Sequence, residues 1–326
     1  MDLKNSKILV IGGAGFIGSF VVSELLNEDV SEVVIYDNFA RGKKEYISAS
    51  LKDSRCSIFP IGGDIREVDI LNEAMKGKDY VFCLAAMWLL HCKDYPRTAF
   101  DVNISGTFNV LEACVQNNIK KLIWSSSASV YGDAIELPMT ENHPFNNKNF
   151  YGATKISGEA MCTAFNDRFG LSVIGLRYMN VYGPNQDQTA AYTGVIPIML
   201  NKIEANEAPI VNGDGSQAYD FIYVEDVARC NISALKSEIN YGFYNVGTEI
   251  QTSISELCNK ILRLTSSKLK VKYKPYSKND VRALVQNRIG SIDKAINEIQ
   301  FKYKINLEEG LIKLIKWRSE NSIHDI

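Results

Sequence analysis

The chain has 326 residues, 46% of them apolar and 23% charged, with a formal net charge of −2. That length and composition suit one large α/β domain, or a nucleotide domain with a smaller lobe, and exclude a disordered chain. The near-neutral charge gives no electrostatic reason to expect nucleic acid or an anionic membrane as partner, which leaves a small molecule.

The N-terminal residues run directly into a strand pattern with no basic, apolar, small-residue leader, and no stretch is long and apolar enough to span a bilayer. Seven cysteines, odd in number, scattered and without a C-x-x-C pair, point to a reduced, cytoplasmic setting. Up to about residue 180, strand-like runs alternate with helix-like segments. Strands are predicted over 7–11, 32–36, 57–60, 80–85, 121–125 and 172–176, and helices over 19–27, 97–117 and 150–169. Such alternation predicts a parallel sheet covered by helices on both faces. Beyond residue 180 the pattern is irregular, with helices near 195–206, 224–236 and 253–264.

Gly12, Gly15 and Gly18 sit where the first strand meets the first helix. There they permit a tight turn, close backbone approach to a pyrophosphate and close helix packing, while the helix N-terminus offers free N–H groups to the phosphates. The second strand leads to Asp37, whose carboxylate is placed to accept both ribose hydroxyls of an adenosine and to repel a 2′-phosphate. NAD is therefore expected rather than NADP, although Arg41, Lys43 and Lys44 lie close enough in sequence to pair with a phosphate. Asp64, in GGDI, has two open roles: hydrogen bonding to the adenine amino group, or capping a helix over 65–75. The fold class expected is α/β, a Rossmann-type doubly wound parallel sheet with a smaller α/β C-terminal substrate lobe. The domain division expected is 1–180 for NAD binding, with about 220–248 returning to it, and 181–326 mainly for the lobe.

Tyr151 and Lys155 are spaced i to i+4 on a helical segment, so the ammonium stands beside the phenol. Lys155 and an oxidised nicotinamide both favour the phenolate of a tyrosine that is otherwise a poor base at neutral pH. The strand KLIWSS delivers Ser125, Ser126 and Ser127 to the carboxyl edge of the sheet, where open α/β folds bind ligands.

In this order and spacing, GGAGFIG, SSSASVYG, YGATK and RYMNVYGP resemble the extended short-chain dehydrogenases that modify nucleotide sugars, and most closely the UDP-glucose 4-epimerase-like enzymes, over nearly the whole chain. The resemblance implies that Tyr151 takes the proton from the sugar 4-hydroxyl while carbon 4 gives hydride to NAD. It makes Lys155 a holder of the nicotinamide ribose and Ser127 the residue that orients the hydroxyl. The implied cofactor contacts run from Gly12, Gly15, Phe16, Ile17 and Gly18 to Asp37, Asn38, Asp64 and Ile65. Leu84, Ala85, Ala86 and Asn103 follow, then Ser125, Tyr151, Lys155 and Tyr178. Ser127, Asn180, Tyr219 and Arg282 are the implied substrate contacts, for a UDP- or GDP-linked sugar. Asn103 and Asn180 each keep a simpler alternative, satisfying a backbone group or capping a loop. A homodimer is implied, formed through the helices over 97–117 and 150–169, whose Phe108, Leu111, Met161 and Phe165 suit that contact or packing on the chain's own sheet equally.

Departures from the pattern narrow the reaction. Sugar-nucleotide 4,6-dehydratases carry an Asp-Glu pair where this chain has Ala128 and Ser129, and glucuronate decarboxylases place a glutamate at the Ser129 position. Relatives commonly have arginine directly before the aspartate of NGDGSQAYDF, where this chain has Tyr219; Arg282, with Arg288 and Lys278 behind it, is the candidate replacement or else a solvated surface charge. His91 and Cys92 follow the fourth strand and read first as a packed loop and helix start, second as an extra acid-base pair. No metal is expected from three histidines without ligand spacing. The expected activity is epimerisation at carbon 4. A nucleotide-sugar dehydrogenase, reductase or dehydratase on the same scaffold is the alternative, with a non-catalytic NAD-binding sensor behind it.

Overall fold

A computed structural model describes residues 2–187, 194–275 and 285–321. Strands β1 (Lys7–Ile11), β2 (Glu32–Tyr36), β3 (Cys56–Ile58), β4 (Tyr80–Cys83), β5 (Lys121–Ser125) and β6 (Val173–Tyr178) alternate with helices. These are α1 (Phe16–Leu26), α2 (Lys44–Ile47), α3 (Val68–Met75), α4 (Leu89–Asp94), α5 (Pro96–Ala99), α6 (Gly106–Gln116) and α7 (Phe150–Phe169). Further on come β7 (Asn180–Tyr182), α8 (Val195–Glu204), β8 (Ile210–Asn212), β9 (Ala218–Tyr219), β10 (Phe221–Tyr223), α9 (Val224–Lys236) and β11 (Tyr241–Val246). The described chain ends with β12 (Thr252–Ser253), α10 (Ile254–Leu264), β13 (Lys272–Lys274), β14 (Asn287–Arg288), α11 (Asp293–Ile299) and α12 (Leu307–Asn321).

Seven strands form one parallel sheet in the order β11-β6-β5-β4-β1-β2-β3. Alternate residues of each strand face opposite layers, as the two-residue repeat of a strand requires. Ile8, Val10, Val33 and Ile35 face α1 and α9, while Leu9, Ile11, Val34 and Tyr36 face α3, α6 and α7. The order reverses between β1 and β4, and such a reversal opens a crevice at the carboxyl ends of the strands. The fold is of Rossmann type.

The chain after β6 joins the sheet again at β11, which pairs with β6 from Tyr241↔Val173 to Val246↔Tyr178. A third apolar cluster gathers Ile196, Met199 and Leu200 of α8, Leu257 and Ile261 of α10, and Leu311 and Leu314 of α12. Its strands are only two or three residues long and pair as β8 with β13 and as β9 with β12 and β14. The helix predicted over 97–117 is broken. Pro96 opens α5, and a π-helical turn over Phe100–Ser105 precedes α6. Among the described residues, no helix is long and apolar enough to cross a membrane.

Candidate active site

The glycine turn opens the site. Gly12 has φ +78°, a conformation that disfavours a side chain, and a Cβ there would stand 2.8 Å from the Ala85 nitrogen. Gly18 lies against the Gly12 carbonyl, where a Cβ would come within 2.1 Å; at Gly15 the same atom is 3.2 Å from a Cβ, the only contact within 4 Å. Gly15 is also the N-cap of α1, and no side chain caps the helix. Free N–H groups and the positive end of the helix dipole therefore face the crevice. Phe16, Ile17 and Gly18 continue its wall.

Asp37 lies at the end of β2, nearly buried. Its Oδ2 accepts the Ala14 amide at 2.9 Å and its Oδ1 the Phe39 amide at 2.8 Å. Burial raises its pKa while the two amide hydrogen bonds pull it down. Arg41, two residues beyond Phe39, is held by Asp187 at 2.8 Å and lies 5.3 Å from the Trp88 ring centre. That cation is thus already matched by a carboxylate. Asn38 makes a 3.4 Å hydrogen bond to Asp64, and Asp64 pairs with Arg66 at 2.6 Å, which lowers its pKa. Helix α3 begins at Val68 with Glu67 as N-cap, so Asp64 caps no helix; its Oδ1 accepts the Arg66 amide instead. Ile65 is buried against Gly106, away from the crevice.

The crevice encloses about 710 Å³. Leu84 and Ala86 line it beyond β4, Ser125 and Ser126 beyond β5, Tyr178 at the end of β6 and Asn180 in β7. Ala85 backs Gly12 rather than lining the space. Tyr178 and Ser125 hydroxyls meet at 3.1 Å, and the Tyr178 hydroxyl donates to Asn231 at 3.0 Å. The Asn180 side chain donates to the Asp220 carbonyl at 3.0 Å.

Tyr151 and Lys155 share the inner face of α7, and both line the crevice. The Lys155 ammonium donates to the Ser125 carbonyl at 2.7 Å and lies 4.8 Å from the Trp124 ring centre and 5.8 Å from that of Tyr151. Burial pulls its pKa down to about 8. Burial likewise pushes the Tyr151 phenol up to about 12, and a hydrogen bond with Ser127 pulls it back. Ser127 also accepts the Ser129 amide at 3.1 Å, which fixes its hydroxyl at the start of a 3₁₀ turn over Ala128–Val130. With burial opposing both charges, the chain alone holds Tyr151 as a phenol.

A buried network supports this trio. Arg177 of β6 and Glu159 of α7 form a two-pronged pair at 2.8 and 2.7 Å. Ser126 donates to Glu159 at 2.5 Å, while Arg177 reaches Tyr131, whose hydroxyl donates to Asn245 at 2.6 Å. Asn103, in the π-helical turn, does not line the crevice. Its carboxamide accepts from the Met87 amide at 2.7 Å and donates to the Met87 carbonyl at 2.8 Å, clamping the segment after β4 from behind. Cys92 is buried in that segment with its thiol on the Met87 carbonyl, and His91 does not face the crevice. Tyr219 donates to the Val285 carbonyl at 2.8 Å. Arg282 and Lys278 lie outside the described residues.

The model of the NAD dependent epimerase/dehydratase family matches residues 8–247. The chain belongs to that family. Among solved structures it is similar to the UDP-N-acetylglucosamine 4-epimerase of Methanobrevibacter ruminantium M1 in complex with UDP-N-acetylmuramic acid. Identity is 34%, the TM-score 0.90, and the match covers 98% of this chain and 99% of that one. It is also similar to the UDP-glucose 4-epimerase of Thermotoga maritima with UDP-glucose, at 30% identity and TM-score 0.88 over 97% and 99% of the two chains. A Bacillus cytotoxicus relative, UDP-N-acetyl-alpha-D-glucosaminuronate decarboxylase, is 32% identical over 96% of this chain and 98% of its own length.

As a member of the NAD dependent epimerase/dehydratase family the chain uses NAD. Its glycine turn, uncapped α1 and amide-bound Asp37 fit that cofactor. Sequence reasoning missed several walls of this family member's crevice: Asn185, Gln186 and Asp187 after β7, Pro197 of α8 and Phe221 of β10. No local pattern marks them, since they reach the site only through the fold of the second half. Glu159 had a signal. It follows Lys155 by four residues and Tyr151 by eight, on one face of a helix.

Proposed function

We propose that the chain interconverts the carbon-4 epimers of a UDP-linked hexose or hexose derivative through a transient 4-keto sugar. The observation that carries this is the convergence of Tyr151 and Lys155 on the crevice, the ammonium fixed on the Ser125 carbonyl, at the sheet edge that also holds the glycine turn. The named activities of the Methanobrevibacter and Thermotoga proteins support the choice of carbon 4 and of UDP. Ala128 and Ser129 provide neither the acid nor the base that elimination of water requires, which disfavours a dehydratase.

When bound, held by the glycine turn, the α1 N-terminus and Asp37, NAD would supply hydride-transfer chemistry at carbon 4. Tyr151 accepts the 4-hydroxyl proton as carbon 4 loses hydride, and gives it back to the keto oxygen afterwards. Ser127 donates to the sugar oxygen at carbon 4, holding it on the phenol. Lys155 contributes positive charge beneath the phenol and a donor for the nicotinamide ribose. Asn180 lies on the wall where the sugar nucleotide enters, between the sheet and the lobe built on α8, α10 and α12.

Incubation with UDP-glucose, UDP-N-acetylglucosamine and UDP-glucuronate, followed by proton NMR, should show the 4-epimer of at least one with no steady rise in absorbance at the NADH wavelength. Sustained reduction of added NAD would instead make the chain a dehydrogenase and sink this reading. The same proposal includes a homodimer. Phe108, 43% exposed, and Phe169, 56% exposed, flank Phe165 in an aromatic row across α6 and α7, and this supports a helical interface there. Leu111 is not part of that face, being buried on the chain's own sheet. A cytoplasmic setting is supported by seven cysteines that are all free and buried.

A further inference from the structure

Arg41 lies in the loop after β2 and Trp88 in the segment after β4, and β1 with its glycine turn runs between those two strands. Two strand spacings, about 10 Å, separate β2 from β4. The Arg41 guanidinium still stands 5.3 Å from the centre of the Trp88 ring, so the contact is made across the glycine turn, in the crevice that both residues line. A second tie comes from the other half of the chain, where Asp187, beyond β7, holds the same guanidinium at 2.8 Å. Both anchors of this tie stand on the glycine turn and its helix. The Lys43 amide donates to the Ala14 carbonyl at 3.0 Å, and the Asn185 side chain donates to the Ser19 hydroxyl of α1 at 3.2 Å. Contacts therefore run from Ala14 through Arg41, Asp187 and Asn185 back to α1, spanning the helix start whose free N–H groups suit a diphosphate.

Two polar atoms beside this bridge are incomplete. Among the described residues, neither Trp88 Nε1 nor Gln186 Oε1 has a hydrogen-bond partner, although both atoms are buried and both side chains line the crevice. An indole N–H needs an acceptor and a carboxamide oxygen needs a donor, and leaving either unmatched costs stability. The phosphate oxygens and ribose hydroxyls of a dinucleotide offer one of each. The bridge is also built to open. The Arg41 and Asp187 side chains are 39% and 32% exposed, and an ion pair so placed adds little to folding. Its effect falls instead on whatever lies beneath it.

We propose that Arg41, Asp187 and Trp88 form a strap over the diphosphate of bound NAD, with the Trp88 indole donating to a phosphate oxygen, and that opening of this strap limits release of the cofactor. This rests on the use of NAD and not on the choice of carbon 4. Native mass spectrometry of the purified chain, loaded with NAD and diluted into an excess of deuterium-labelled NAD, reads exchange without needing turnover. Arg41→Asp and Asp187→Arg each break the pair by like charge, and each is expected to exchange NAD roughly tenfold faster than wild type. The double swap, Arg41→Asp with Asp187→Arg, restores the pair and should return exchange to within about threefold of wild type. Trp88→Phe keeps a ring but loses the indole N–H, and should speed exchange by about threefold or more. Thermal midpoints of the NAD-free variants separate strap from scaffold, since loss of a partly exposed pair leaves them within about two degrees of wild type. Exchange by Arg41→Asp within about twofold of wild type overturns the inference, as does a double swap as fast as that single variant. An Asp187→Arg variant that exchanges no faster than wild type also overturns it, because simple attraction of the phosphates then accounts for retention. A midpoint lowered by several degrees assigns the pair to the scaffold, and a wild type that retains no NAD leaves nothing to be strapped; either result sinks the proposal while the carbon-4 reading stands or falls on the NMR assay.

Discussion

Tyr151, Lys155 and Ser127 divide the chemistry by environment. Burial raises the phenol to about 12 and lowers the ammonium to about 8, so at neutral pH the tyrosine is neutral while the lysine still carries its charge. Replacing Tyr151 by Phe removes the proton acceptor and is expected to lower kcat by about 10³-fold with KM little changed, measured by NMR of the epimer ratio. Ser127→Ala removes the hydroxyl that pulls the phenol back down. At about 1.5–3 kcal/mol for a bond to a charged group, kcat at neutral pH should fall roughly 10- to 100-fold and its rising limb move to higher pH. The Lys155 ammonium is lost as pH rises through about 8, so wild-type kcat should decline above that value. The sign for stability is the reverse. Between about 8 and the ordinary 10.5 the unfolded chain binds more protons at this lysine than the folded one, so the burden it places on folding lightens as pH rises through that window.

At the scale of elements, the glycine turn and the buried Glu159–Arg177 pair make separable predictions. Gly18→Ala drives a Cβ into the Gly12 carbonyl and should cost both NAD and stability. Gly15→Ala meets one atom at 3.2 Å and mainly narrows the cofactor's approach. It should fold within about 1 kcal/mol of wild type yet retain less NAD by native mass spectrometry. Glu159→Gln leaves Arg177 charged and buried, and about 3 kcal/mol or more should disappear from the denaturant-unfolding free energy. The turn, β1, β2 and α7 were legible because each is one local pattern: an apolar strand, spaced glycines, or an amphipathic helix. The break at Phe100–Ser105 was not, because it brings Asn103 onto the Met87 peptide sixteen residues away and no propensity encodes that pairing. Neither were β9, β12 and β14, two residues each and too short for any period to register.

For the whole molecule, the order of the seven strands decides where the site lies, and the second half of the chain decides what closes it. Strand β11, Tyr241–Val246, lies within the 220–248 stretch expected to return to the nucleotide domain, whereas the crevice walls from Asn185 to Phe221 emerge only from packing. If the aromatic row on α6 and α7 is the subunit contact, Phe108→Glu should convert a dimer to a monomer in sedimentation velocity at micromolar concentration, with NAD still bound. The tie between Arg41 and Asp187 carries a consequence of a different kind. It joins a loop of the nucleotide half to one 146 positions further along, so the cation closest in sequence to Asp37 is neutralised from the opposite wall. Preference between the two dinucleotides then has two settings in distant parts of the gene. A change at 187 alone frees a guanidinium while Asp37 still repels, and a change at 37 alone leaves that guanidinium engaged. Conversion to the phosphorylated cofactor therefore runs through intermediates that gain little by either step, and the chain is held to its present choice by the order in which substitutions arrive.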